Sequence, residues 1–162
     1  CDVLFKLEDK ANGGIFCERL LSISTPNQWV QLDFDFGGEA SLTYDKVVIF
    51  FDFATFNQNV FYFDDVEGPY YEGSQGKPYE AADVQDNFEE NGTITTWFGD
   101  DCSLNTSIDN PNPGSINTSQ KVLDYYDTGG QYANVRFDIP VNFDLSAQHI
   151  RQSNLVWRSQ SL

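Results

Sequence analysis

Residues 59–69 read NVFYFDDVEGP, and this stretch decides how the chain is put together. Val60, Phe61, Tyr62 and Phe63 make an apolar strand that runs into two adjacent carboxylates, Asp64 and Asp65, before a Gly-Pro break. The following YYEGSQGKPYEAA is turn-rich and linker-like. A strand ending this way reads as the last of a domain, yet more than half of the 162 residues still follow.

Working outward, the signal is β throughout. In VLFKLED (residues 3–9) Val3, Phe5 and Leu7 alternate with Leu4, Lys6 and Glu8. ANGG then supplies residues tolerant of positive φ and IFCERLLSIS returns, which reads as a hairpin. WVQLDFDF places Val30, Leu32, Phe34 and Phe36 on one face and Trp29, Gln31, Asp33 and Asp35 on the other, as in a half-buried strand. DKVVIFFDF is apolar on both faces except at Asp52, the pattern of a central strand. Strands resume at QKVLDYYD, YANVRFDIPVNF and HIRQSNLVW, after a polar stretch, SLNTSIDNPNPGSINTS. No useful length shows a 3.6-residue period, so many short strands between turns predict an all-β sandwich.

Bulk composition narrows the function. Hydrophobic residues at 40% and aromatics at 15% describe a folded chain, and no apolar run approaches the ~20 residues that span a bilayer. Twenty-five Asp and Glu against 9 Lys and Arg give a net charge of −16, which repels nucleic acid and anionic lipid and suits calcium. Cys1, Cys17 and Cys102 cannot all pair within the chain and have no zinc-site spacing; Cys17 reads as a small core residue. Residues 1–9 alternate and do not resemble a signal peptide. The absence of methionine is expected of a segment cut from a longer protein.

The blocks VLFKLED, QWVQLDFDF, YDKVVIFFDF and VFYFDDV resemble the C-terminal half of jelly-roll carbohydrate-binding modules of the galactose-binding-like type. DNFEENG, DNPNPGSINTSQKV, IPVNFD and LVWRSQS are similar to the N-terminal half of the same module. Tyr132 stands where that pattern has Trp, and Arg158 follows Trp157 where the pattern has Ser-Pro. The order is inverted: residues 1–66 match the second half, residues 67–82 read as a linker, and residues 83–162 match the first half. Residues 59–66 are thus the module's closing strand, in a circular permutant or in one period of a tandem array. The array is the favoured expectation, with few contacts between the two halves of one copy.

The resemblance implies a non-catalytic glycan-binding jelly roll in a large extracellular or surface-anchored bacterial protein. The alternative is a structural repeat of an adhesin, stalk or filament that contacts neighbouring copies and binds no sugar. Jelly rolls of this type often hold a structural calcium where closing and opening strands meet, which nominates Asp64, Asp65 and Glu89, the last read as ending a strand DNFE. Adjacent carboxylates repel unless a cation compensates them; otherwise these are solvated strand-end charges. Trp97, Tyr125, Tyr126 and Tyr132 sit among polar neighbours and are candidate sugar-stacking rings, whereas Trp29 and Trp157 read as packing residues. No nucleophile elbow, P-loop or zincin motif occurs, and the lone His149 has no nucleophile motif to serve. No enzymatic activity is expected.

Overall fold

The computed structural model describes residues 1–68, 84–145 and 158–160, except positions 41, 91, 115, 141 and 144. Among these the chain is all-β, with antiparallel sheets and no helix. The strands are β1 (Asp2–Asp9), β2 (Asn12–Ser22), β3 (Lys46–Phe51), β4 (Val60–Phe63), β5 (Val66–Gly68) and β6 (Val84–Asp86). They continue as β7 (Phe98–Asp100), β8 (Cys102–Asp109), β9 (Lys121–Asp127), β10 (Asn134–Asp138) and β11 (Arg158–Gln160). A five-stranded sheet has the order β2-β1-β3-β10-β7, a four-stranded sheet the order β11-β4-β9-β8, and β5 pairs with β6.

Period-2 patterning supplies the core. Val3, Phe5 and Leu7 of β1, Val47, Ile49 and Phe51 of β3, and Val135 and Phe137 of β10 bury one face of the five-stranded sheet. Phe61 and Phe63 of β4 and Leu123 and Tyr125 of β9 belong to the same cluster from the four-stranded sheet. Phe51 joins them: its ring stacks on Phe61 at 5.0 Å and meets Tyr125 at 5.0 Å and Phe63 at 5.6 Å. As the DKVVIFFDF pattern predicts, β3 is central in its sheet, with Val48 buried on the opposite face.

Several local expectations change. The hairpin turns at Lys10 and Ala11 rather than at the glycines, with Ala11 N–H on Asp9 Oδ1 at 2.8 Å and Lys10 N–H on Asp45 Oδ1 at 2.8 Å. Gly13 and Gly14 lie inside β2, beside the register shift at Glu8 and Asp9. Residues 31–36 keep the predicted alternation, with Leu32, Phe34 and Phe36 buried and Gln31, Asp33 and Asp35 exposed, whereas Trp29 is buried and Val30 half-buried; none of residues 29–36 joins a ladder. Burial and a few hydrogen bonds from outside any ladder hold them extended: Phe34 packs on Phe5 at 4.9 Å, and Arg19 Nε donates to the Asp35 carbonyl at 2.7 Å. DNFE is not a strand. β6 ends at Asp86 and the chain turns, with Phe88 and Glu90 in the left-handed region at φ 58° and 65°. SLNTSID, part of the polar stretch between the expected strands, belongs to β8, an edge strand anchored by Cys102, Leu104 and Ile108.

The two halves share every sheet. β3 pairs with β10, β4 with β9 and β11, and β5 with β6, in place of the sparse contacts expected for one array period. Each half alone would expose apolar faces and open edges that the other covers. Residues 67 and 68, assigned to the linker, are part of β5; residues 69–82 lie outside the described residues. HIRQSNLVW, with His149 and Trp157, also lies outside them.

Phe51→Ala should cost about 3–5 kcal/mol in urea unfolding, because it empties the contact between the sheets. Tyr125→Phe keeps the ring and removes a buried hydroxyl that has no hydrogen-bond partner among the described residues, so it should cost nothing or stabilise. A Phe51→Ala loss below about 1 kcal/mol would contradict this account of the core.

Candidate functional site

The turn after β6 organises the chemistry at one end of the sheets. Asp86, buried at its tip, accepts from Phe88 N–H at 2.8 Å through Oδ1 and from the Trp97 indole N–H at 2.7 Å through Oδ2. Position 92 must be glycine, since a Cβ there would lie 2.7 Å from Asp86 Oδ1 and 2.9 Å from the Gln85 carbonyl oxygen. Trp97, half-buried just before β7, lies edge-on to Phe63 at 5.5 Å and Phe137 at 4.9 Å, and is tilted against Phe88 at 5.6 Å. One carboxylate thus sets both the turn and the indole.

A cleft of about 330 Å³ opens over this indole. Phe88 and Ile94 extend its apolar floor, Asp86 and Glu90 supply carboxylates, and Thr95, Thr106 and Ser107 supply hydroxyls. Thr106 and Ser107 fall in the β8 irregularity between Asn105 and Ile108, where they drop out of the ladder with β9. An indole with convergent hydroxyls and carboxylates is a sugar-compatible surface.

Behind the turn lies an acidic pocket of about 80 Å³, lined by Asp65, Glu67, Gln85, Asp86, Asn87 and Gly92. Burial first, then the nearby Glu67 and Glu89 charges, raise the Asp65 carboxyl above its usual range, and burial raises Glu67. Carboxylate and amide oxygens are the ligands a hard cation takes. Asp86 and Gly92 line both this pocket and the cleft.

The three carboxylates nominated as calcium ligands do not form one set. Asp64 is wholly buried, and its oxygens accept from Asp65 N–H at 2.9 Å and from Asn117 Nδ2 at 3.0 Å. Asn117 is itself buried and held by Asn110 Nδ2 at 3.1 Å, so Asp64 anchors the polar 110–119 loop. Glu89 Oε1 accepts from the backbone N–H of Gln120 at 2.6 Å and Lys121 at 3.0 Å, capping the start of β9. Asp65 alone of the three lines the pocket. Among the described residues no group of three or more His, Cys, Asp or Glu side chains is arranged to hold a metal.

The four candidate rings also separate. Trp97 lines the cleft; Tyr132, 56% exposed, lies 6.0 Å from the exposed Phe53 at the other end of the sheets, beyond β10. Tyr126 is half-buried in β9. Tyr125 is a correction: it is fully buried against Phe51 and Phe61, where no ligand reaches, and burial drives its hydroxyl pKa far above the usual range. In YYD the alternation puts Tyr125 inward and Tyr126 outward, a signal their polar neighbours masked. Trp29 is buried and donates to the Asn112 carbonyl at 2.9 Å, a packing role. The three cysteines are free, and burial pushes the Cys17 thiol to about 11 and the Cys102 thiol to about 12.

No protein-family model matches the chain, and no curated protein or solved structure matches it. The site therefore rests on its own geometry. Phe88, Glu90, Thr95, Thr106 and Ser107 carried no advance signal, because a turn and a strand bulge bring them together.

Burial, with the neighbouring Asp65 charge, lifts Asp64 to about 7 despite the donors facing it. The folded protein therefore binds a proton that the unfolded chain releases near pH 4. That contribution is fully present below about pH 4 and is lost as pH rises through about 7. In chelator-containing buffer, melting temperature should fall between pH 5 and pH 8, and Asp64→Asn should flatten that slope. An equal slope in the variant would show that Asp64 is not its source.

Proposed function

We propose that this chain is a jelly-roll β-sandwich that binds glycan and performs no catalysis, with the Trp97 cleft as its sugar site. The observation carrying this reading is the cleft itself: a half-buried indole, fixed by Asp86, shares the lining with two threonines, a serine and Glu90. Sugar rings present an apolar CH face to an aromatic ring and hydroxyls to such a polar rim. The two antiparallel sheets and their shared core support the jelly-roll part of the reading. A module of this kind belongs outside the cell, in a bacterial secreted or surface protein.

Calcium belongs in this proposal at the pocket behind the cleft, with Asp65 and Glu67 as charged ligands and Gln85 and Asn87 as amide ligands. There the ion would relieve the repulsion that raises Asp65 and would hold the wall that Asp86 shares with the cleft. Added calcium should raise the melting temperature at pH 7.5, and Asp65→Asn should abolish the rise. No difference between calcium and chelator would rule the ion out.

A second reading is a structural repeat without sugar binding, in which neighbouring copies meet the faces and edges that each half leaves open. Strand pairs such as β3 with β10 and β4 with β9 can equally form between neighbouring copies in a longer chain.

Affinity electrophoresis against a polysaccharide panel separates the two readings. Glycan binding predicts retardation by at least one polysaccharide and its loss, by tenfold or more, in Trp97→Ala. No retardation by any polysaccharide would favour the structural repeat.

A further inference from the structure

We infer that the Trp97 cleft selects glycans without acidic groups and excludes uronate and sulfated chains, an inference that rests on reading the cleft as a sugar site. Among the described residues its lining carries Asp86 and Glu90 and no Lys or Arg. Asp86 is held in place by the Phe88 and Trp97 N–H groups, so it cannot swing away from an incoming anion. Glu90 stands exposed at the rim. Asp65 and Glu67 lie behind the same wall, across Asp86 and Gly92.

Neighbouring cations are already engaged. Lys10, in the adjoining groove that shares Ile94 and Thr95, pairs with Asp45 at 3.3 Å. Lys121, at the start of β9, pairs with Asp109 at 2.6 Å. An acidic sugar therefore meets fixed negative charge with no unpaired cation beside it among the described residues, in a chain of net charge −16. Charges about 5–8 Å apart at a partly desolvated surface weaken binding by about tenfold or more.

Neutral hydroxyls suit the same groups. Each sugar O–H donates to Asp86 or Glu90, and Thr95, Thr106 and Ser107 both donate and accept. The β8 bulge frees Thr106 and Ser107 from the strand ladder for this role. About 330 Å³ is at the small end of ligand clefts and accommodates about one or two sugar rings.

The test is calorimetric titration of the full chain at low and at moderate ionic strength. Neutral oligosaccharides of glucose, xylose and mannose are compared with oligogalacturonate, oligoalginate and sulfated galactan. At least one neutral ligand should bind with little salt dependence. Acidic ligands should bind at least about tenfold more weakly at low salt, and the gap should narrow as salt rises. Glu90→Gln should raise acidic affinity relative to neutral affinity. An acidic ligand bound as tightly as the best neutral one, with Trp97→Ala abolishing both, would overturn the selectivity and leave the sugar site standing. Absence of binding by every ligand would overturn the sugar site and the selectivity together.

Discussion

The contact of Phe51 with Phe61, Phe63 and Tyr125 is the interaction on which the rest depends. Phe51 and Phe61 reach the core from different sheets, and Tyr125 comes from the other half of the chain. Hydrophobic burial is non-directional, so it does not by itself choose which half meets which. The pairing of β3 with β10 and β4 with β9 makes that choice by supplying directional hydrogen bonds along the same strands. Core and ladders together bind the strands of the two halves to one another.

The same core leads into the candidate site. Phe63 passes from the core directly into Asp64 and Asp65, and its ring meets Phe88 at 5.7 Å and Trp97 at 5.5 Å. The aromatic core thus continues outward into the cleft floor with no polar layer between. Asp64 turns into the protein toward Asn117 while Asp65, with φ 50°, turns toward the acidic pocket. Two neighbouring carboxylates therefore have different jobs, one structural and one facing solvent.

Charge is distributed to match. Among the described residues the cations are spent within the protein: Lys6 and Lys46 both clamp the buried Glu8 at 2.6 Å, and Arg19 pairs with Glu39 at 2.6 Å. These ion pairs stitch β1 to β3 and β2 to the turn near Gly38, which leaves the unpaired carboxylates to set the field at the surface.

The sequence by itself determined the all-β class, because period-2 alternation in VLFKLED and KVVIFF is a local property that survives into burial. It also marked Trp97 and the strand that leads into Asp64 and Asp65. It could not say whether residues 29–36 have a hydrogen-bonding neighbour, since alternation reports burial and not pairing. Nor could it separate Tyr125 from Tyr126, or Asp64 from Asp65, because adjacent residues point to opposite sides only once the strand's inner face is set. β8 escaped notice because an edge strand needs little apolar surface. Tertiary structure alone decided the site: the turn at residues 86–92 and the bulge at Thr106 and Ser107 come from distant segments, and their meeting depends on both sheets packing on one core.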